Sequence, residues 1–192
     1  MASFLIRAVA AFACLFASAA ALAQMHGAHQ PYAGMEARKV KALSDEQIAD
    51  LKAGRGMGLA LAAELNGYPG PSHVLKNAEA LGLTDAQRQR TEALFASMKA
   101  EAVPLGERLI AQETELDRLF ASKAVEPAKL TAATAAIGET QGALRAAHLR
   151  YHLTMMDVLT PEQVRRYGEL RGYGPGNAQP QPHEKGHGGH AH

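Results

Sequence analysis

The chain of 192 residues has no tryptophan, one cysteine and only 5% aromatic residues. Its cysteine, Cys14, falls within Met1 to Ala23, where an early cation, Arg7, is followed by an apolar run and then Ala21-Leu22-Ala23. That is the pattern of a secretory signal peptide with an A-x-A cleavage site. Further apolar residues follow Cys14 in place of a lipobox-like setting, so no lipid anchor is expected. Without residues 1–23 the chain keeps no cysteine, which excludes disulfides, thiolate metal sites, c-type haem attachment and a cysteine nucleophile. Charge of one sign is missing too: without Arg7 the cations equal the 19 acids. A neutral chain lacking a long basic block is not expected to have nucleic acid as its main partner. No second apolar run approaches the roughly 18 residues of a membrane span, so no span is expected after signal cleavage. Long alternating apolar and polar stretches rich in β-branched residues are also absent, which removes strands from consideration. Sparse aromatics imply a thin core of alanine and leucine.

What is present is a repeated helix-start code. It occurs at Leu43-Ser44-Asp45-Glu46-Gln47, Leu83-Thr84-Asp85-Ala86-Gln87 and Leu159-Thr160-Pro161-Glu162-Gln163. In each, a Ser or Thr hydroxyl can accept from the N3 amide while the N3 glutamine reaches back to the N-cap amide. Early acids suit the positive end of the helix dipole, and Pro161 falls at N1, where no N–H is needed. Helices are therefore expected to start near residues 45, 85 and 161.

The second of these is long. Thr91, Leu94, Met98, Ala102, Leu105, Leu109, Leu116 and Phe120 recur mostly at steps of three, four or seven, forming one apolar stripe. Pro104 lies inside the stripe and is expected to kink the helix without ending it. A further helix over 127–158 has its seam at Leu130, Ala133, Ile137, Thr140, Leu144, Ala147, Tyr151, Met155 and Val158. At 1.5 Å per residue the two helices measure roughly 54 and 48 Å, and the short turn 122–126 makes them an antiparallel hairpin. Helices near 45–65, 72–82 and 161–171, or a second subunit, must cover the stripe. The expected fold is all-α: a long bent antiparallel helical hairpin with shorter capping helices, dimeric. The domain plan is a signal peptide (1–23), a flexible N-terminal segment (24–42), a helical domain (43–172) and a disordered His-rich tail (173–192), the last because it is rich in Gly and Pro without apolar period.

Two LTxxQ boxes, Leu83-Thr84-x-x-Gln87 and Leu159-Thr160-x-x-Gln163, flanking a helical hairpin behind a signal peptide resemble the Spy/CpxP family of periplasmic proteins over about residues 75–172. That family has zinc-binding and metal-sensing relatives of the ZraP and CnrX kind. The resemblance implies a bent hairpin dimer in the periplasm, acting as an ATP-independent chaperone and envelope stress protein with metal-binding capacity. Unfolded clients would meet a concave face carrying Leu94, Met98, Leu105 and Leu109. The Gly-rich stretch Ala53 to Gly67 and the neutral charge balance depart from the best-studied chaperones.

Histidine is the chemically informative residue, with nine unevenly placed copies. His148 and His152 stand four apart on the second long helix, so both imidazoles face one way and can chelate one ion. Met155 and Met156 continue that face. Two imidazoles with a thioether suit copper(I), or zinc, nickel or cobalt where a carboxylate or water completes the shell. The metal-sensing relatives have a His-x-x-x-Met pair before the second motif, which His152 and Met156 match. The competing reading packs His152, Met155 and Met156 beside Tyr151 in the core. A second cluster, Met25, His26, His29 and Met35 with Glu36 nearby, lies in the N-terminal segment. A third, His183, His187, His190 and His192, lies in the tail, where neutral imidazoles at high local concentration bind zinc, nickel or copper.

Two further patterns are set aside. His183-Glu184-Lys185-Gly186-His187 matches H-E-x-x-H, but Pro182, Gly186, Gly188 and Gly189 forbid the helix that metalloprotease chemistry needs. Gly54-x-Gly56-x-Gly58 follows a capped helix and lacks the Gly-Lys-Ser/Thr ending of a phosphate loop, so close helix packing explains it better. No nucleophile has a plausible base, and no enzyme is expected. No cofactor is required; zinc or copper are the ions to test. The reading alternative to a chaperone is a periplasmic heavy-metal sensor or buffer that signals through a separate membrane partner.

Overall fold

The computed structural model describes residues 32–173, and these are helical with no strand. The expected signal peptide, the His26 and His29 cluster and the tail histidines lie outside the described residues. Residues 32–37 belong to a unit of their own, containing one 3-10 turn, Met35–Ala37. In the second unit Val40 and Leu43 form an isolated bridge, within and beside the segment expected to be flexible. Six helices follow: α1 (Asp45–Lys52), α2 (Leu61–Glu64), α3 (Pro71–Lys76), α4 (Asp85–Ala121), α5 (Pro127–Met155) and α6 (Pro161–Leu170).

All three expected helix starts are present as full capping boxes. Ser44, Thr84 and Thr160 each accept from the N3 amide, and Gln47, Gln87 and Gln163 each accept back from the N-cap amide. The 37-residue α4 runs unbroken through Pro104. It packs antiparallel on the 29-residue α5. Glu101 ties the two helices laterally, accepting from Arg150 and from the Tyr151 hydroxyl, each at 2.6 Å.

The expected helix over 45–65 is instead two pieces. The cause is Gly54, whose φ of 64° places it in the left-handed region that glycine enters without Cβ strain. The Gly54 amide donates to Leu51 and the Arg55 amide to Asp50, the paired bonds of a Schellman ending. The expected helix over 72–82 likewise ends early, at Lys76. Gly106 lets α1 approach α4: a Cβ there would stand 2.6 Å from the Leu51 carbonyl oxygen.

Two apolar clusters result. One, near the start of α4 and the end of α5, contains Val74, Leu81, Leu94, Met98, Tyr151, Met155, Leu159 and Tyr167. The other, further along the hairpin, contains Leu51, Ala102, Leu109, Ile137 and Leu144, with Leu105 packed against it. Leu94, Met98 and Leu109, expected on an open client-binding face, are thus buried inside this chain, and Leu105 is half-buried. The short helices α1 and α3 pack on α4 over this stretch.

Candidate metal centre

Near the buried end of α5, residues from six segments converge on a cavity of about 320 Å³. His148 and His152 come from α5, Glu64 from α2, His73 from α3, Gly56 and Met57 from the loop after α1, and Arg171 and Tyr173 from the end of α6. Met98 of α4 also lines it.

Glu64 is the anchor. It is a carboxylate on a four-residue helix, yet only 5% exposed. Its Oε1 accepts from the Tyr167 hydroxyl at 2.5 Å, the Tyr173 hydroxyl at 3.0 Å and Arg171 Nε at 3.2 Å. His73 Nδ1 is 3.3 Å from the same oxygen. Burial pushes this carboxyl up, but the two phenol bonds and the nearby His73 and Arg171 outweigh it and hold the group below its ordinary value. The tyrosines respond in the opposite sense: burial and then Glu64 raise both Tyr167 and Tyr173. Both phenols therefore keep their protons and donate. Glu64 Oε2, by contrast, has no hydrogen-bond partner although it is buried.

The two α5 histidines are prepared differently. His152, 7% exposed, has Nδ1 2.7 Å from the Tyr68 carbonyl oxygen. A carbonyl only accepts, so Nδ1 carries the proton and the neutral ring's lone pair is on Nε2. A backbone carbonyl fixing one ring nitrogen is how metal-ligating histidines are commonly oriented. Tyr68 is delivered by the turn after α2, where its amide donates to Ala63. His152 also packs against Gly70, where a Cβ would meet ring atoms at 2.7 and 2.9 Å. His148, 3% exposed, has a buried Nε2 with no partner. Burial, and then the neighbouring His152, depress its proton affinity, which keeps a lone pair available. In His73, burial and Arg171 outweigh Glu64 and lower the value as well.

Of the residues singled out from sequence, His148 and His152 both line the cavity. Met156 does not: it caps the C-terminus of α5, is 38% exposed and is absent from the cavity wall. Met57 and Met98 line it instead. Glu64, His73, Tyr167, Arg171 and Tyr173 were not legible as site residues. A lone acid within the otherwise apolar Leu59–Leu65 stretch was the one available signal for Glu64. Among the described residues, no three His, Cys, Asp or Glu side chains stand together as a ready-made metal cluster. Two buried atoms without a hydrogen-bond partner, Glu64 Oε2 and His148 Nε2, belong to residues that line this cavity beside His152, whose Nδ1 is 3.8 Å from Glu64 Oε2.

A family model described as heavy-metal resistance matches residues 56–166. The chain belongs to that family, part of the Spy/CpxP-like all-α superfamily. The matched span runs from the Gly56 wall of the cavity through both LTxxQ boxes. No curated protein and no solved structure matches the chain.

Proposed function

We propose that the protein is a periplasmic heavy-metal sensor or buffer that binds a borderline divalent ion, zinc foremost, in the α5 cavity. His148 Nε2, His152 Nε2 and Glu64 Oε2 are the donors, with His73 at the rim. The observation that carries this reading is the pair of buried donors without partners on residues lining one cavity, since an uncompensated buried polar group costs about 1–3 kcal/mol and a bound cation is one way to offset it. Imidazole and carboxylate together suit zinc, nickel, cobalt or copper(II), whereas copper(I) prefers sulfur. Membership of the heavy-metal resistance family supports the same direction. No helix among the described residues is long and apolar enough to cross a membrane; the signalling form of this reading acts through a separate membrane sensor.

The chaperone reading of the Spy/CpxP kind loses its working surface, because three of the four side chains assigned to clients are packed in the core. The homodimer expected from the hairpin stays part of the proposal, and sedimentation velocity of the chain from residue 24 reads it. Zinc titration by calorimetry tests the metal reading. A stoichiometric site lost on combining His148→Ala with His152→Ala supports it; equal heats in both proteins overturn it.

A further inference from the structure

Among the described residues that line the cavity, Glu64 is the only acid and Arg171 the only lysine or arginine, and the two hold each other. Arg171 Nε stands 3.2 Å from Glu64 Oε1. The arginine arrives there from the C-terminus of α6, which it caps. Gly172, with φ 74°, then reverses the chain, and the Gly172 and Tyr173 amides donate to Glu169 and Gly168. That Schellman turn brings the Tyr173 phenol onto the same Glu64 oxygen. Arg171 Nε also donates to the Tyr173 hydroxyl, and its guanidinium lies 5.5 Å from the centre of the Tyr173 ring. Residues 171–173 thus form a strap that grips Glu64 with two side chains, which also grip each other.

A divalent ion on Glu64 Oε2 would put two further positive charges beside a guanidinium already on Oε1 of the same carboxylate. One negative charge does not match three positive ones where water is excluded. A histidine or lysine could relieve the conflict by losing its proton, but an arginine stays charged in proteins. Movement is the remaining relief. The Arg171 side chain is 32% exposed against 7% for Glu64, so it already lies at the water boundary and can turn its head outward. Tyr167, whose hydroxyl donates to the same oxygen from within α6, is buried and stays in place.

We propose that Arg171 is the cavity's own counter-cation, and that a divalent ion bound by His148, His152 and Glu64 displaces it and frees the strap 171–173. This rests on the metal reading above and adds how occupancy of the site is passed to the surface. The coupling is reciprocal: the factor by which the guanidinium weakens ion binding is the factor by which the ion loosens the strap. Arg171 therefore regulates the affinity of the site without being a ligand.

Arg171 is also the reporter, because trypsin cleaves after an arginine only when its side chain can leave its partner and enter the protease. The experiment uses the chain from residue 24 to 192 and zinc alone, with calorimetry alongside and an arginine peptide as control for the protease. Zinc should speed cleavage after Arg171, followed by mass spectrometry, about tenfold or more. That acceleration should vanish in the His148→Gln, His152→Gln protein, and the heat lost in this variant identifies the cavity site. At that site Arg171→Gln, which removes the charge and keeps a hydrogen-bond donor, should bind zinc about tenfold more tightly or better. Damage to the fold would weaken binding, so a merely structural role does not produce this gain. Zinc bound in the cavity without faster cleavage, or with no gain in Arg171→Gln, overturns the inference while leaving the metal reading in place. Acceleration that persists in the α5 variant puts the responsible ion elsewhere and overturns it as well. No zinc bound in the cavity of either the parent or Arg171→Gln removes both.

Discussion

Gln87 and Gln163, 76 residues apart, exchange side-chain amide hydrogen bonds. Gln87 Nε2 donates to Gln163 Oε1 at 2.8 Å, and Gln163 Nε2 donates to Gln87 Oε1 at 3.0 Å. Each Oε1 also accepts its own N-cap amide, from Thr84 and from Thr160. Each Nε2 reaches a backbone carbonyl as well, Val158 for Gln87 and Leu81 for Gln163. The two LTxxQ boxes are thus one joint: the residue that completes each helix cap also binds the other cap.

Breaking this joint from one side leaves the opposite amide without its partner. Gln87→Ala and Gln163→Ala should each destabilise the fold by about 1–3 kcal/mol. The double variant should cost less than the sum, because the pair shares its bonds. Urea unfolding of the four proteins measures the coupling, and strict additivity would contradict the paired arrangement.

Glu64 should matter to stability before any metal is added. Three donors, from Tyr167, Tyr173 and Arg171, converge on its Oε1. Glu64→Ala strands them and should lower stability by about 3 kcal/mol. Glu64→Gln keeps an acceptor oxygen and should cost clearly less. Equal losses would mean that volume, not hydrogen bonding, sets the penalty.

Gly70→Ala separates metal binding from folding. The backbone at Gly70 is extended, with φ −92°, so alanine is sterically allowed, but its Cβ would run into the His152 ring. Zinc affinity should fall at least tenfold while the helical circular dichroism signal is retained. Unchanged affinity would show that the His152 ring position is not part of the binding geometry.

Acid should weaken the metal-free fold through His148. Its imidazole is held below the ordinary value of 6.5, so the unfolded chain binds the proton more readily than the folded one. The stability this supplies is complete above the unfolded value and is lost as pH falls through 6.5 towards the folded value. Melting temperature should fall more steeply between about pH 7.5 and 5 in the unsubstituted protein than in His148→Gln. Parallel curves would show that His148 is not responsible.

The hairpin and the helix starts were legible because their signals are local. A Ser or Thr and a Gln three residues later define the cap, and Leu94, Met98 and Leu109 repeat at helical spacing. The break at Gly54 was missed because a glycine within an apolar run reads equally as close packing or as a helix end; here it is both, since Val103 and Ala102 of α4 lie against it. His148 and His152 stand out in the sequence by their four-residue spacing. Glu64 was not, because its partners Tyr167, Arg171 and Tyr173 lie more than a hundred residues away in the chain. No local pattern encodes such a convergence. An apolar stripe likewise states that it must be covered, not by what, and α1 and α3 pack on α4 here.

The most direct measurement is the anomalous scattering of crystals grown with one equivalent of zinc. The predicted result is a single strong peak inside the cavity, about 2.0–2.1 Å from the Nε2 atoms of His148 and His152, with Glu64 Oε2 in the shell. A peak confined to other histidines, or an empty cavity in crystals of a protein that binds zinc in solution, would contradict it.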